Sequence, residues 1–368
     1  MSDDENDQEL LDLLRQSLGI GPRDPDAPPE TRVLESAQYI CDNSIDVALD
    51  MQGTRDAASV IWKKMQAKSY STKRWREHEL HPQMMDDDPE AAANFIFTMD
   101  LLNFCFWSYK GEDERFAVEY KGKKWKGYSS LVAALQRGIE EGIPITSPSF
   151  WHDENECTEE VYRKLFRSAT EEQIPLFDKR VVVLQEAAEV LCRNFEGSVV
   201  NLIERANHSA AALVNLLAEH FPCFRDEMRF EGRTVRFLKR AQIFVADLWA
   251  AFNGEGLGRF DDIDKITMFA DYRIPQILHT IGCMLYSPPL ERDIRKKISI
   301  KSKSTWEVEL RGCSIWCVEM IRKEIIRQNP DAKVNAILID FFLYDTMKEL
   351  EISGEAQIPH HRTRSIWY

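Results

Sequence analysis

The chain of 368 residues has no window approaching the run of roughly 20 apolar residues that a bilayer span needs. Its first residues, MSDDENDQEL, are acidic and show neither the basic and apolar regions of a secretory signal nor the Arg-rich character of a mitochondrial presequence. A cytoplasmic protein with no membrane association is therefore expected. Positive charge is also in short supply. A net charge of −14 and an isoelectric point near 5.2 disfavour tight binding to a nucleic-acid backbone, which rewards clustered Lys and Arg. No stable nucleic-acid complex is expected, and the global field suits a small, locally captured ligand.

Several motifs are missing as well. There is no GxxxxGK[ST], no GxGxxG, no HExxH and no GxSxG, so the strongest nucleotide-loop, metalloprotease and esterase assignments lose their support. Cys313 and Cys317 in RGCSIWC are four apart, which suits one helix face better than a zinc knuckle, and no second pair with metal spacing accompanies them. Neither a metal nor a cofactor is expected. These two and the scattered Cys41, Cys105, Cys157, Cys192, Cys223 and Cys283 lie mostly in apolar surroundings and read as reduced core thiols.

Hydrophobic residues make up 44% of the chain and aromatics 10%, enough for a large core. Residues 1–30 hold a short amphipathic segment, QELLDLLRQSLGI, and lead into GPRDPDAPPET, whose four prolines mark a linker. The region reads as a flexible acidic and Pro-rich extension. From Thr31 onward no second break, repeat or low-complexity tract occurs, so residues 31–368 are expected to form one compact domain. RTVRFLKRAQIFVADLWAAF places Phe237, Ala241, Val245, Leu248 and Phe252 three or four apart, as one buried helical face requires. FDKRVVVLQEAAEVLCRNF and SAAALVNLLAEHF behave alike, and SSLVAALQRGIEEG has a serine cap at one end and Gly142 at the other. RFAVEYKGKKWKGY alternates as a hairpin does, and STWEVELRG as a short strand. The expected class is mainly α with minor β.

Four clusters mix acids, cations or polar groups with aromatics. In TMFADYRIPQ, Asp271 lies between Phe269 and Tyr272, ahead of Pro275, which suits the first turn of a helix through IPQILHTIGCML. Amide donors at that helix start favour an ionised carboxylate, and the aromatics exclude water beside it. Asp271 either serves a developing positive charge or merely caps the helix or pairs with Arg273. In NAILIDFFLYDTMKEL, Asp340 and Asp345 bracket Phe341, Phe342 and Tyr344. Five positions separate the acids by about 140° on a regular helix, so a break between them is expected if both are to face one point. They suit donors on a flat, partly cationic ligand, or a solvated face with one capping acid. MDLLNFCFWSY, with Asp100, Asn103, Phe104, Phe106 and Trp107, is a stacking wall or core packing. RWREHELHP brings Trp75, His78 and His81 beside basic residues, as ligand contacts or as ordinary packing groups.

The ordered set MDLLNFCFW, GYSSLVAAL, FLKRAQIFVADLW, ITMFADYRIPQ, RGCSIWCVE, IDFFLYD and HHRTRSIWY resembles the queuosine salvage family, the queuosine 5′-phosphate N-glycosylases or hydrolases, from about residue 35 to the C-terminus. The resemblance implies a single, mostly helical domain related to the helix-hairpin-helix DNA glycosylases. It implies hydrolysis of the N-glycosidic bond of queuosine 5′-monophosphate, a small-molecule substrate, freeing queuine for reinsertion into tRNA. The family's key aspartate matches Asp271, as nucleophile or transition-state stabiliser. Its ligand-binding positions correspond to Phe269, Asp340, Phe341 and Asp345, and to a histidine near the HEL segment, matched here to His78. Phe341 stands where the family often carries tyrosine, keeping the stacking surface without the hydroxyl. Arg273, Lys239 and Arg240, in or near these motifs, are candidate phosphate contacts. Two alternatives remain on residue pattern: a base-excision enzyme of the DNA glycosylase kind, and a helical nucleobase-binding or interaction protein without turnover.

Overall fold

The computed structural model describes residues 27–83, 87–355 and 358–368. The segment QELLDLLRQSLGI and most of the proline-rich linker lie outside the described residues. The body from Thr31 to Tyr368 is built mainly of helices. Its first half contains α1 (Val33–Asn43), α2 (Met51–Ala67), α3 (Lys73–Arg76), α4 (Pro89–Leu101), α5 (Tyr128–Glu140), α6 (Pro148–His152), α7 (Glu159–Leu165) and α8 (Phe177–Phe195). α9 (Val199–Arg205), α10 (Ala210–His220), α11 (Lys239–Ala251), α12 (Arg273–Thr280), α13 (Pro288–Arg295), α14 (Thr305–Gln328) and α15 (Ala336–Ser353) complete it. Among the described residues, six short strands form three antiparallel pairs. β2 (Ala117–Tyr120) and β3 (Lys123–Lys126) make one hairpin, and β4 (Glu227–Phe230) and β5 (Arg233–Arg236) another. β1 (Val47–Leu49) pairs with the distant β6 (Met284–Tyr286), with Ala48 opposite Leu285.

The axis of the body is α14. Its first turns are buried on every side: Glu307, Glu309 and Arg311 as well as Val308, Leu310 and Ile315. That corrects the expected strand at STWEVELRG. Trp306, Val308 and Leu310 alternate with polar residues, which mimics a half-exposed strand, but the polar partners face inward too. Glu309 accepts the backbone N–H groups of Ile45, Asp46 and Val47 at 3.1, 2.7 and 3.0 Å. Arg311 meets Asp226 through two nitrogens, at 2.9 and 2.6 Å. Buried charges paired in the manner of Glu309 and Arg311 belong to a helix surrounded by protein.

α1 crosses α14 at Gly312, where a Cβ would lie 2.5 Å from Ile40 Cγ2. The helices approach only because that position has no side chain. Gly312→Ala is expected to lower stability by about 1–3 kcal/mol through overpacking, read as a lower urea midpoint at unchanged slope.

Other boundaries also shift. The predicted helix from Arg233 loses its first residues to β5, and α11 begins only at Lys239, after Leu238 in a left-handed conformation. The serine cap of α5 is replaced by Gly127, at φ 62°, while Ser130 turns its hydroxyl back onto the Gly127 carbonyl at 2.6 Å. α12 ends at Thr280 because Gly282 takes φ 77° and directs Cys283 N–H back to the Leu278 carbonyl at 2.8 Å. Its remaining residues enter β6. All eight cysteines are free, with six buried, Cys41 half-buried and Cys192 on the surface, outside the core assigned to it. Among the described residues no helix is long and apolar enough to cross a membrane.

Candidate active site

A cavity of about 390 Å³ opens where α11, α15, the segment before α12 and the residues around α3 converge. α11 supplies Lys239, Ile243 and Asp247, four residues apart and so stacked on one face. Both charged groups are almost fully withdrawn from water.

The segment Ile266–Tyr272 is pinned by side chains from three helices. Gln242 of α11 accepts Thr267 N–H at 2.9 Å, and Asp340 of α15 accepts Phe269 N–H at 3.0 Å. Arg311 of α14 donates to the Ala270 carbonyl at 2.9 Å. Held in this way, the segment turns sharply, with Asp271 N–H on the Phe269 carbonyl, and brings the Asp271 side chain to the start of α12. There Oδ1 accepts Arg273 N–H at 2.7 Å and Ile274 N–H at 3.0 Å. The capping role foreseen for Asp271 is thus real, and both capping bonds fall on one oxygen. Side chains locked by neighbours on rigid elements are what a precise site requires.

α15 is continuous, with no break between Asp340 and Asp345, so the expected interruption is corrected. Both acids still line the cavity. Asp340 and Asp345 mark the edges of an arc of about 140° that also presents Tyr344, Lys348 and Phe341, and the cavity spans the whole arc. Asp345 accepts the Tyr70 hydroxyl at 2.6 Å.

Trp75, His78 and His81 also line the cavity. The rings of His81 and Trp75 lie 4.0 Å apart at their centroids, those of His78 and His81 4.4 Å. His81 reaches the Trp75 carbonyl with Nδ1 and the Tyr128 hydroxyl with Nε2, each at 2.8 Å. Burial pushes its pKa down to about 3, so the ring is neutral. A carbonyl contact at Nδ1 then fixes the proton there and leaves Nε2 to accept from Tyr128. Burial lowers His78 as well.

Electrostatically the cavity is lopsided. Lys239 is the ammonium shared by Asp100, Asp247, Asp271 and Asp340. Burial lowers Lys239, against the pull of Asp271, Asp100 and Asp340. Burial raises Asp271, while Lys239 and the amides of Ile274 and Arg273 oppose the rise. Asp340 is driven well above the carboxylate range by burial and by the Asp271 charge. Asp247 is pushed up to about 7 by burial, although the Trp75 indole and Lys239 hold it back. Cations gather elsewhere. Arg273 pairs with Glu351, and Lys348, lowered by burial and by Arg273, lies beside them.

The residues singled out from sequence sort clearly. Asp271, Phe269, Asp340, Phe341, Asp345, His78, Lys239 and Arg273 all line the cavity. Arg240 does not. It is buried outside the cavity lining and commits both terminal guanidinium nitrogens to the carbonyls of Asp100, Leu101 and Cys223, so it does not reach a phosphate in the cavity. Of MDLLNFCFWSY, only Asn103 and Phe106 reach the cavity. Phe104 lies under Arg180 and Arg240, and Trp107 is hydrogen-bonded to the Thr363 carbonyl, so that segment is mostly core. Phe269 and Phe341 do not sandwich a ring. Their centroids are 6.1 Å apart at 46°, whereas an inserted base needs two van der Waals gaps of roughly 3.5 Å between parallel faces. Sequence reasoning passed over Lys348, Asp247, Tyr70 and Tyr128. Lys348 and Asp247 carried a signal, since each follows an already chosen residue by seven or eight positions on one helix. Tyr70, in a turn after α2, carried none. Among the described residues no group of three or more His, Cys, Asp or Glu side chains could hold a metal ion.

A family model described as queuosine salvage protein matches residues 80–368. The queuosine 5′-phosphate N-glycosylase/hydrolase of Schizosaccharomyces pombe is 42% identical over 352 residues, covering 92% of this chain and 100% of that protein. The Mus musculus protein of the same name is 41% identical over 340 residues, covering 91% of this chain and 98% of the relative. That of Sphaerobacter thermophilus is 37% identical over 336 residues, with 91% and 97% covered.

Proposed function

The chain belongs to the queuosine salvage protein family, and from that premise we propose that it hydrolyses the N-glycosidic bond of queuosine 5′-monophosphate, releasing queuine and ribose 5-phosphate. The observation that carries this reading is Asp271: a carboxylate in the cavity wall, capped through one oxygen, beside a buried ammonium. Breaking an N-glycosidic bond makes the sugar resemble an oxocarbenium ion. A fixed carboxylate facing C1′ in a water-poor site stabilises that charge, as nucleophile or as electrostatic partner, and such an interaction is worth about 3–4 kcal/mol.

The remaining groups divide by charge. Phe269 and Phe341 offer a stacking face for the base, and the rings of His78 and Trp75 line the same cavity. Asp345, already bonded to Tyr70, takes the ammonium of the queuine side chain. The 5′-phosphate goes to Arg273 and Lys348 rather than to Lys239, which the carboxylates around it occupy.

Incubation with queuosine 5′-monophosphate and detection of free queuine by mass tests the reading; intact substrate would refute it. Asp345→Asn is expected to raise KM about tenfold with kcat nearly unchanged, because the lost contact is present in ground and transition states alike. An equal fall in kcat and kcat/KM would instead place Asp345 in the chemical step.

A further inference from the structure

The departing base poses a chemical problem. Queuine is a 7-deazaguanine and has carbon where a purine has N7, so the usual protonation at that atom cannot assist it. The electron pair of the broken C1′–N9 bond has to be neutralised by a proton delivered elsewhere on the ring.

Asp340 and Asp271 sit in the same cavity wall in unequal settings. Asp271 accepts two backbone N–H groups at a helix start; Asp340, within α15, accepts one, from Phe269 at 3.0 Å. The charged and titratable groups around Asp340 are Asp271 from the segment before α12, Lys239 and Asp247 from α11, and Tyr70 from the turn after α2. One ammonium thus serves several acids, and like charges at close quarters push one of them to keep its proton. Burial of Asp340, only 6% exposed, works in the same direction.

Resting on the reaction assigned above, we propose that Asp340 is the general acid, present as a neutral carboxyl and giving its proton to the departing base while Asp271 remains the anion beside the sugar. The balance is complete. The C1′–N9 pair passes to the base, and the Asp340 proton goes to N3, the basic ring nitrogen left once N7 is replaced by carbon. Water oxygen bonds to C1′, and the proton that water loses restores the Asp340 carboxyl. The Phe269 N–H on Oδ2 orients the group and leaves Oδ1 for the donated proton.

The test is leaving-group dependence combined with a pH profile. On queuosine 5′-monophosphate, kcat of the native enzyme is expected to fall at alkaline pH. Asp340→Asn, which keeps the acceptor for Phe269, is expected to lower kcat about 10²-fold at neutral pH and to abolish that alkaline fall. On 7-cyano-7-deazaguanosine 5′-monophosphate, whose nitrile stabilises the departing base, the same substitution is expected to cost less than about tenfold. Asp340→Glu, which restores a proton, is expected to recover part of kcat and the alkaline limb, and queuine binding by each variant checks that the site has folded. A raised KM at unchanged kcat, or equal losses of kcat on the two substrates, would overturn the acid role while leaving the reaction in place. Failure of the native enzyme to release queuine would overturn both.

Discussion

Asp271→Asn is expected to reduce kcat by about 10³-fold or more while substrate binding changes little. Asn is nearly isosteric and its carbonyl oxygen still accepts the Arg273 and Ile274 amides, so the start of α12 and the fold should persist. What disappears is the negative charge. In the native protein burial raises that carboxyl, and Lys239 and the two amides oppose the rise and so favour its charged form. The neutral amide offers nothing to a sugar carbon becoming electron-poor. The effect should therefore appear in kcat, with single-turnover release of queuine slowed in proportion and the melting temperature within a degree or two of the native value. Retention of full turnover would remove Asp271 from the chemistry and leave it as a helix cap alone.

The same residue shows what sequence could and could not convey. An acid between Phe269 and Tyr272 and just before a helix start is visible in a linear string, because capping and exclusion of water are local matters. The helices around α11 and α15 were legible for a similar reason: their apolar spacing reflects one dominant buried face. α14 was misread at its first turns, since it has no exposed face there for the period to show. Its alternation of Trp306, Val308 and Leu310 with Glu307, Glu309 and Arg311 makes sense only once Asp226 and the amides of residues 45–47 are in place, and these come from far along the chain. The site follows the same rule. Asp340 and Asp345 both line the cavity, but the expected break between them came from treating the ligand as a point. A cavity broad enough to span 140° of helix surface removes the need for it. Arg240 looked like a phosphate ligand because sequence cannot tell a cation in a cavity from one buried against carbonyls. Tyr70 acquires meaning only through Asp345, more than a hundred residues away.

Arg311→Met is expected to lower global stability by about 3–5 kcal/mol, measured as a fall in urea midpoint. Arg311 and Asp226 are both withheld from water and meet through two hydrogen bonds, at 2.9 and 2.6 Å. Removing the guanidinium leaves the Asp226 carboxylate in the interior with the Lys239 N–H at 3.2 Å, too little to replace a paired cation. Packing suffers too, since the guanidinium lies 4.1 Å from the Phe237 ring centre and 4.4 Å from that of Tyr368. The loss reaches the site by a direct route. Arg311 holds the Ala270 carbonyl, and Ala270 precedes Asp271, so the turn that aims the Asp271 carboxylate loses one of its three anchors. Catalysis depends on placement within a fraction of an ångström, and kcat should fall about tenfold in the fraction that remains folded. This pattern, lower stability together with lower kcat, separates Arg311 from Asp271, whose loss should leave stability intact. Replacing Asp226 and Arg311 together by Leu and Met should recover much of the stability, because the stranded charge is then gone, but not the activity, because the Ala270 carbonyl still lacks its donor.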